Sequence, residues 1–173
     1  MHMELLLAFL YEPIKDPQNA IQHYIRCQTY ESRNAERYAQ EIIWIANKHA
    51  MDPILIAAIV DVESKFRARA ISSTKDYGAM QVNERTAKSL DKDPEELLTF
   101  YSGVDAGTSV LKNIKRKYAL RDINWICRYN VGNQRGEKIS RICDRYLRKV
   151  MLSYNSIRSF YNFYPHSICS EIK

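Results

Sequence analysis

At 173 residues the chain is long enough to bury a core of its own and short enough to be one catalytic-size domain. Five glycines, five prolines and 46% apolar residues exclude a disordered chain and a turn-rich β-sandwich, and point to a globular, mostly α-helical protein. The net charge of +6 is unevenly spread: residues 111–158 carry thirteen Lys/Arg against only Asp122, Glu137 and Asp144, a basic half suited to nucleic acid, lipid or an anionic wall polymer.

In chain order, Leu5 to Leu10 form an apolar stretch too short for a membrane span, and Glu4 ahead of it is wrong for a signal peptide. Met1-His2-Met3 has the look of a cloning remnant, so the leader of an exported protein would have been removed. Amphipathic patterning predicts helices over 17–31 and 33–50, the second with Ile42, Ile45 and Ala46 on one stripe. Asp52 as a cap and Pro53 at the first helical position open the next helix, with Met51 able to staple onto Ile56; it runs about three turns, to Phe66.

Residues 67–82 predict irregular structure, with Ser72, Ser73, Thr74, Asp76 and Gly78 as turn formers. Helices follow at 84–90, at 94–100 behind Asp93 and Pro94, and at 103–119 behind Ser102 with Asp105 in the capping-box position. A short one covers 123–129 and a long one 134–158. The last sets Ile139, Ile142, Tyr146 and Val150 on one side. Lys138, Arg141, Arg145 and Arg148 lie on the other, a solvated face or a stripe attracted to anionic murein or membrane. No internal repeat or linker interrupts the chain, and the tail from Pro165 carries no readable role.

Four cysteines, Cys27, Cys127, Cys143 and Cys169, fit one or two disulfides in an exported protein, and buried thiols equally well. Neither they nor His2, His23, His49 and His166 show metal-ligand spacing, so no metal and no cofactor is expected.

The stretch DVESKF, residues 61–66, raises a question. It closes an apolar run, yet places Glu63 beside Ile59, Val60, Val62 and Phe66. A carboxylate removed from water costs several kcal/mol unless it is paired or stays protonated. Asp61 lies roughly 200° around the helix and cannot share its face. A Glu in an apolar pocket at a cleft's edge keeps its proton near neutral pH and can act as a general acid.

Three ordered motifs follow one another: VES at 62–64, GAMQV at 78–82 and YNVG at 129–132, with YLRKVMLSY at 146–154 closing the chain's last helix. Together they resemble the lytic transglycosylases of the Slt type, lysozyme-like enzymes that cut bacterial peptidoglycan. Two departures stand out: Ala79 where the family usually has Leu, and Asp76 in place of a small apolar residue just ahead of the glycine.

The resemblance implies an all-α, lysozyme-like domain over 38–158, with at most a small irregular or β-like loop around 67–82. Residues 1–37 would be a helical extension packing on it, and 159–173 a tail. It implies cleavage of the β-1,4 bond after N-acetylmuramic acid, whose own C6 hydroxyl attacks to give a 1,6-anhydro ring. Glu63 would serve as acid and then as base.

Around it, Ser64 would orient the carboxylate or merely end the helix. Ser72 and Thr74 would contact the substrate acetamido group or Glu63, or cap the turn. Gly78 would allow a conformation or approach that a Cβ blocks. Met80 would wall the sugar site or fill the core, and Gln81 would bind sugar hydroxyls and amides. Tyr129 would hydrogen bond to Glu63 or substrate, Asn130 would hold the turn to Gly132, and Tyr146 would join the site or belong to the core.

The partner implied is the peptidoglycan glycan strand, met in the periplasm or cell envelope by a monomer with no membrane span, and a secretion or flagellar machine is a candidate second partner. Two other readings stand beside this one. One is a hydrolase resembling goose-type lysozyme, in which water attacks instead of the C6 hydroxyl. The other is a non-enzymatic wall scaffold or nucleic-acid binder, although no nucleic-acid motif is visible.

Overall fold

A computed structural model of the chain describes residues 15–119 and 124–163. The described residues form seven α-helices: α1 (Pro17–Gln28), α2 (Ala35–His49), α3 (Pro53–Ser64), α4 (Glu84–Ser89), α5 (Phe100–Tyr118), α6 (Arg128–Val131) and α7 (Glu137–Phe163). Two-residue strands β1 (Asp76–Tyr77) and β2 (Val82–Asn83) pair antiparallel, Asp76 opposite Asn83. The fold is thus all-α, as the patterning predicts, with one small β loop of the kind the resemblance implies.

Apolar positions decide how these helices stack. On α3 the buried set includes Ile54 and the whole run Ile56–Asp61, so this helix is covered on all sides and forms the centre of the domain. It packs against α2 and α7, while α1 packs across α2 and α7, and α2 against α5. The α2 stripe of Ile42, Ile45 and Ala46 is buried as its spacing requires. On α7, Tyr146 and Val150 are buried, whereas Lys138, Arg141, Arg145 and Arg148 are exposed.

Capping fixes where α3 begins. Asp52 Oδ1 accepts from the Ile54 and Leu55 amides at 2.8 and 3.4 Å, and its Oδ2 accepts from the Tyr154 hydroxyl of α7 at 2.8 Å. The helix stops at Ser64, two residues short of the expected Phe66, because Lys65 and Phe66 take left-handed φ values of 55° and 63°. Each such residue costs about 1–2 kcal/mol. The bend turns the Phe66 ring into the core, between Tyr24 and Phe100. Burying a Phe gains about 2–3 kcal/mol, enough to offset much of that cost.

Other expected boundaries move as well: α1 ends at Gln28, short of 31, and within the short helix expected over 123–129 a 3-10 turn, Trp125–Cys127, leads into α6. The segment expected as a helix over 94–100 is a 3-10 turn, Pro94–Leu98, opened by Asp93, which accepts from the Glu95 amide. The next helix starts at Phe100, not 103, because Thr99 is its cap and accepts from the Ser102 amide at 3.3 Å. Asp105 caps nothing; it reaches across to α2, where Lys48 at 2.9 Å and His49 at 2.7 Å meet it. Finally α7 opens at Glu137 instead of 134, after Gly136 at φ +113°, and continues to Phe163, past the expected end at 158.

The Leu5–Leu10 stretch, residues 120–123, the tail from Pro165, Cys169, His2 and His166 lie outside the described residues. Among the described residues no helix is long and apolar enough to cross a membrane.

Candidate active site

Glu63 occupies the last turn of α3, where the helix has just emerged from the core. Its carboxyl is largely withdrawn from water, and this desolvation raises its pKa from 4.5 to about 7. The negative charge of Asp76 adds to the rise; a hydrogen bond from Tyr146 and the charge of Lys149 oppose it. Asp61, on the far side of the same helix, is buried and accepts from the Tyr24 hydroxyl of α1 at 2.9 Å and from Lys65 at 3.2 Å. The two carboxyls therefore face different surroundings.

Glu63 lines a cavity of about 260 Å³ together with Asp76, Gln81, Tyr129 and Asn130. Val82, Asn83, Thr86 and Val110 complete its wall. Asp76 comes from the β loop, where its carboxylate accepts from Ser72 at 2.7 Å, from Thr74, and from the Asn83 amide at 3.0 Å. Burial alone would raise its pKa, but these donors outweigh it and hold the carboxyl below the ordinary range. One cavity thus holds a carboxyl kept protonated towards neutrality and another kept ionised.

Small residues let the loop lie close to α5. Gly78 has φ +76°, and a Cβ there would sit 2.1 Å from the Leu97 carbonyl oxygen. On α5, a Cβ at Gly103 would come within 2.7 Å of the same oxygen, and one at Gly107 within 2.5 Å of Met80 Cβ. Gln81 follows at φ +49°, a conformation that non-glycine residues adopt at a cost of about 1–3 kcal/mol and that clusters at functional sites. Its side-chain amide donates to the Ala70 and Gly78 carbonyls at 3.1 and 2.9 Å, which holds the turn in that shape.

The two tyrosines make different contacts. Tyr146, from α7, is buried and donates to Glu63 Oε1 at 2.7 Å. The Tyr129 hydroxyl goes instead to the Met80 carbonyl at 2.9 Å. Burial pushes both phenol pKa values well above their usual range, and the neighbouring Glu63 adds to the effect, so both remain hydrogen-bond donors. A disulfide between Cys127 and Cys143 ties the segment just before Tyr129 to the turn of α7 just before Tyr146. Cys27 is disulfide-bonded as well.

The residues singled out in the sequence therefore separate into a lining and a support. Glu63, Gln81, Tyr129 and Asn130 line the cavity, and Tyr146 touches the acid. Ser72 and Thr74 hold Asp76 instead of reaching Glu63. The Ser64 hydroxyl turns to the Ala79 and Val60 carbonyls at 2.7 and 3.3 Å, so it pins the loop to α3 and does not orient the carboxylate. Of the two roles open to Met80, wall of the site or core filler, the structure has the second: it is 0% exposed, and its sulfur accepts from Thr108 at 3.7 Å. Gly78 lies behind the loop against Leu97.

Asp76, Gly103 and Gly107 belong to the site or its support without being part of the predicted set. Asp76 showed itself in the sequence as a departure from the family pattern, whereas the GVDAG spacing of the two glycines marks close packing only once the partner loop is known.

A family model, the transglycosylase SLT domain, matches residues 40–150. The chain belongs to the transglycosylase SLT family. The match runs from within α2 to within α7 and takes in every residue that lines the cavity, from Glu63 to Asn130, as well as Tyr146, which hydrogen bonds to Glu63. The all-α, lysozyme-like architecture expected of an SLT domain is the one seen. Helix α1 precedes the matched region, yet fastens to the acid-bearing helix of the SLT domain through Tyr24 and Asp61. Among its described residues no group of three or more His, Cys, Asp or Glu could hold a metal ion.

Proposed function

We propose that the protein cleaves peptidoglycan glycan strands as a lytic transglycosylase in the cell envelope, with Glu63 as its acid and then its base. The observation that carries this reading is the Glu63 carboxyl itself, lining a cleft with a pKa near 7 and hydrogen bonded by Tyr146. Protonated Glu63 gives its proton to the glycosidic oxygen as the bond to C1 of N-acetylmuramic acid breaks. The C6 hydroxyl of the same sugar then attacks C1, and the Glu63 carboxylate takes up the hydroxyl proton, which restores the acid and leaves a 1,6-anhydro end. An acid with pKa near the working pH suits both transfers, a contribution of about 10²–10⁴ in rate. The intramolecular nucleophile loses little entropy on attack.

Asp76 favours a second reading. An ionised carboxylate in the same cavity would steady the cationic sugar, and would also supply the second group that glycoside hydrolysis by water employs. Digestion of purified sacculi separates the readings: anhydro ends in the mass spectrum support the first, reducing ends the second. If the Glu63→Gln variant released fragments as fast as the wild type, neither would survive, and a non-catalytic wall scaffold would be the better account.

A further inference from the structure

A second cavity, of about 520 Å³, adjoins the cleft and shares Asn83 and Thr86 with it as common walls. Its remaining lining is Thr74, Lys75, Glu84, Arg85 and Lys88. This is twice the size of the space around Glu63, and no aliphatic or aromatic side chain faces it. These walls offer no aromatic platform for a sugar ring to stack on, and charge is their main feature.

Charge points to what they do suit. Glu84 is the one acid of the lining and is engaged by Lys88 at 2.6 Å and Lys75 at 3.5 Å. Three cations against one carboxylate leave an excess of positive charge, with Arg85, Lys75 and Lys88 all exposed. Hydroxyl and amide groups of Thr74, Thr86 and Asn83 interleave with them. Such a surface matches a short polar branch that ends in carboxylates, because Lys and Arg bind carboxylate oxygens while Thr and Asn satisfy amide groups.

We propose that this cavity is a subsite for the carboxylate-bearing peptide branch of the substrate, with Arg85 and Lys88 as its specificity-determining residues. It rests on the reading of the chain as a glycan-strand cleaving enzyme. A strand lying past Glu63 would carry its peptide branch over the shared Asn83–Thr86 wall into the basic cavity. The protein would then prefer strands that still carry peptides over strands stripped of them.

The test uses two substrates of equal length, peptide-bearing strands and strands stripped by an amidase. Charge reversal of both Arg85→Glu and Lys88→Glu is expected to lower kcat/KM on peptide-bearing strands by about fivefold, consistent with exposed ion pairs, and to change it less than twofold on stripped ones. The milder Arg85→Gln with Lys88→Gln should give a smaller loss of the same kind, and a thermal melt checks that both variants fold. Added salt should shrink the preference of the wild type. Equal losses on both substrates, or no loss on either, would overturn the subsite. Calorimetric binding in the Glu63→Gln background separates this from the parent reading. Discrimination in binding without any cleavage by the wild type would sink the reading of catalysis and keep the subsite, whereas cleavage without discrimination would do the reverse.

Discussion

Tyr146 donates its hydroxyl to Glu63 Oε1 over 2.7 Å, across 83 residues of sequence, and so joins the last helix of the domain to its central one. The bond favours the carboxylate and therefore works against the burial that raises the Glu63 pKa. Replacing Tyr146 by Phe removes the opposition. Glu63 should then ionise at higher pH, so the alkaline limb of kcat/KM, expected near pH 7 in the wild type, moves upward. Loss of a hydrogen bond to a charged group should also lower kcat about tenfold or more. A pH–rate profile checks both, and a limb that stays in place or moves down would contradict the assigned contact.

Asp76 makes the opposite prediction. Its negative charge helps to keep Glu63 protonated, so Asp76→Asn should let Glu63 ionise more easily and shift the alkaline limb to lower pH. The same variant tests the second carboxylate's chemistry. If Asp76 activates water, the fraction of reducing ends among the products falls in Asp76→Asn; if it only shapes the field around Glu63, the product ratio holds while the profile moves. Two substitutions in one cavity, Tyr146→Phe and Asp76→Asn, should thus displace one titration in opposite directions.

The raised pKa of Glu63 also has a consequence for stability. In the unfolded chain the carboxyl titrates at 4.5; in the folded protein it does so at about 7. The folded state therefore favours the protonated form: the group's stabilising contribution is fully present below pH 4.5 and is lost as pH rises through 7. Above neutrality the wild type should carry a penalty of about 3 kcal/mol that the amide of Glu63→Gln does not. Melting curves at pH 5 and pH 8 should show the variant gaining on the wild type at the higher pH. A difference in Tm that is the same at both values would mean that Glu63 is not held away from water.

How far this site could be read from the chain depended on how local each signal was. The Asp52-Pro53 cap, the apolar run behind it and Glu63 at its end are neighbours in sequence, so position and chemistry were both legible. The end of that helix was not. A left-handed pair at Lys65 and Phe66 is disfavoured locally and exists because the Phe66 ring gains burial between Tyr24 and Phe100. Side-chain contacts that depend on distant partners are likewise not legible in the local sequence. Which of the Tyr129 and Tyr146 hydroxyls reaches Glu63 is set by how α7 packs on α3. Ser64 and Met80 belonged to the motif but went into the support behind it, where α5 comes close at Gly103 and Gly107.

The Cys127–Cys143 disulfide should matter to activity as well as to stability. It closes a loop of 16 residues, for which the chain-entropy account gives about 3 kcal/mol. It also holds together the two segments that bring Tyr129 and Tyr146 to the site. Replacing both cysteines by Ala should lower the Tm, and at a temperature where the variant is still folded kcat should fall more than KM changes. An unchanged kcat in that folded variant would show that packing alone places the tyrosines.

Gly107 offers a test of the support that leaves every polar group in place. A methyl there would stand 2.5 Å from Met80 Cβ, 2.6 Å from its sulfur and 2.8 Å from the Tyr129 hydroxyl, so Gly107→Ala must push Met80 and Tyr129 outward. Overpacking of this kind costs about 1–3 kcal/mol, and here the displacement falls on the Tyr129–Met80 bond and the floor of the cavity. Gly136→Ala is the control. It strains a residue at φ +113° but meets nothing within 4 Å, so it should cost stability without moving the site. Comparison of the two at matched distance below their melting points should find turnover reduced in Gly107→Ala and near wild type in Gly136→Ala. Equal turnover in both would mean that the close approach of the loop to α5 serves stability alone.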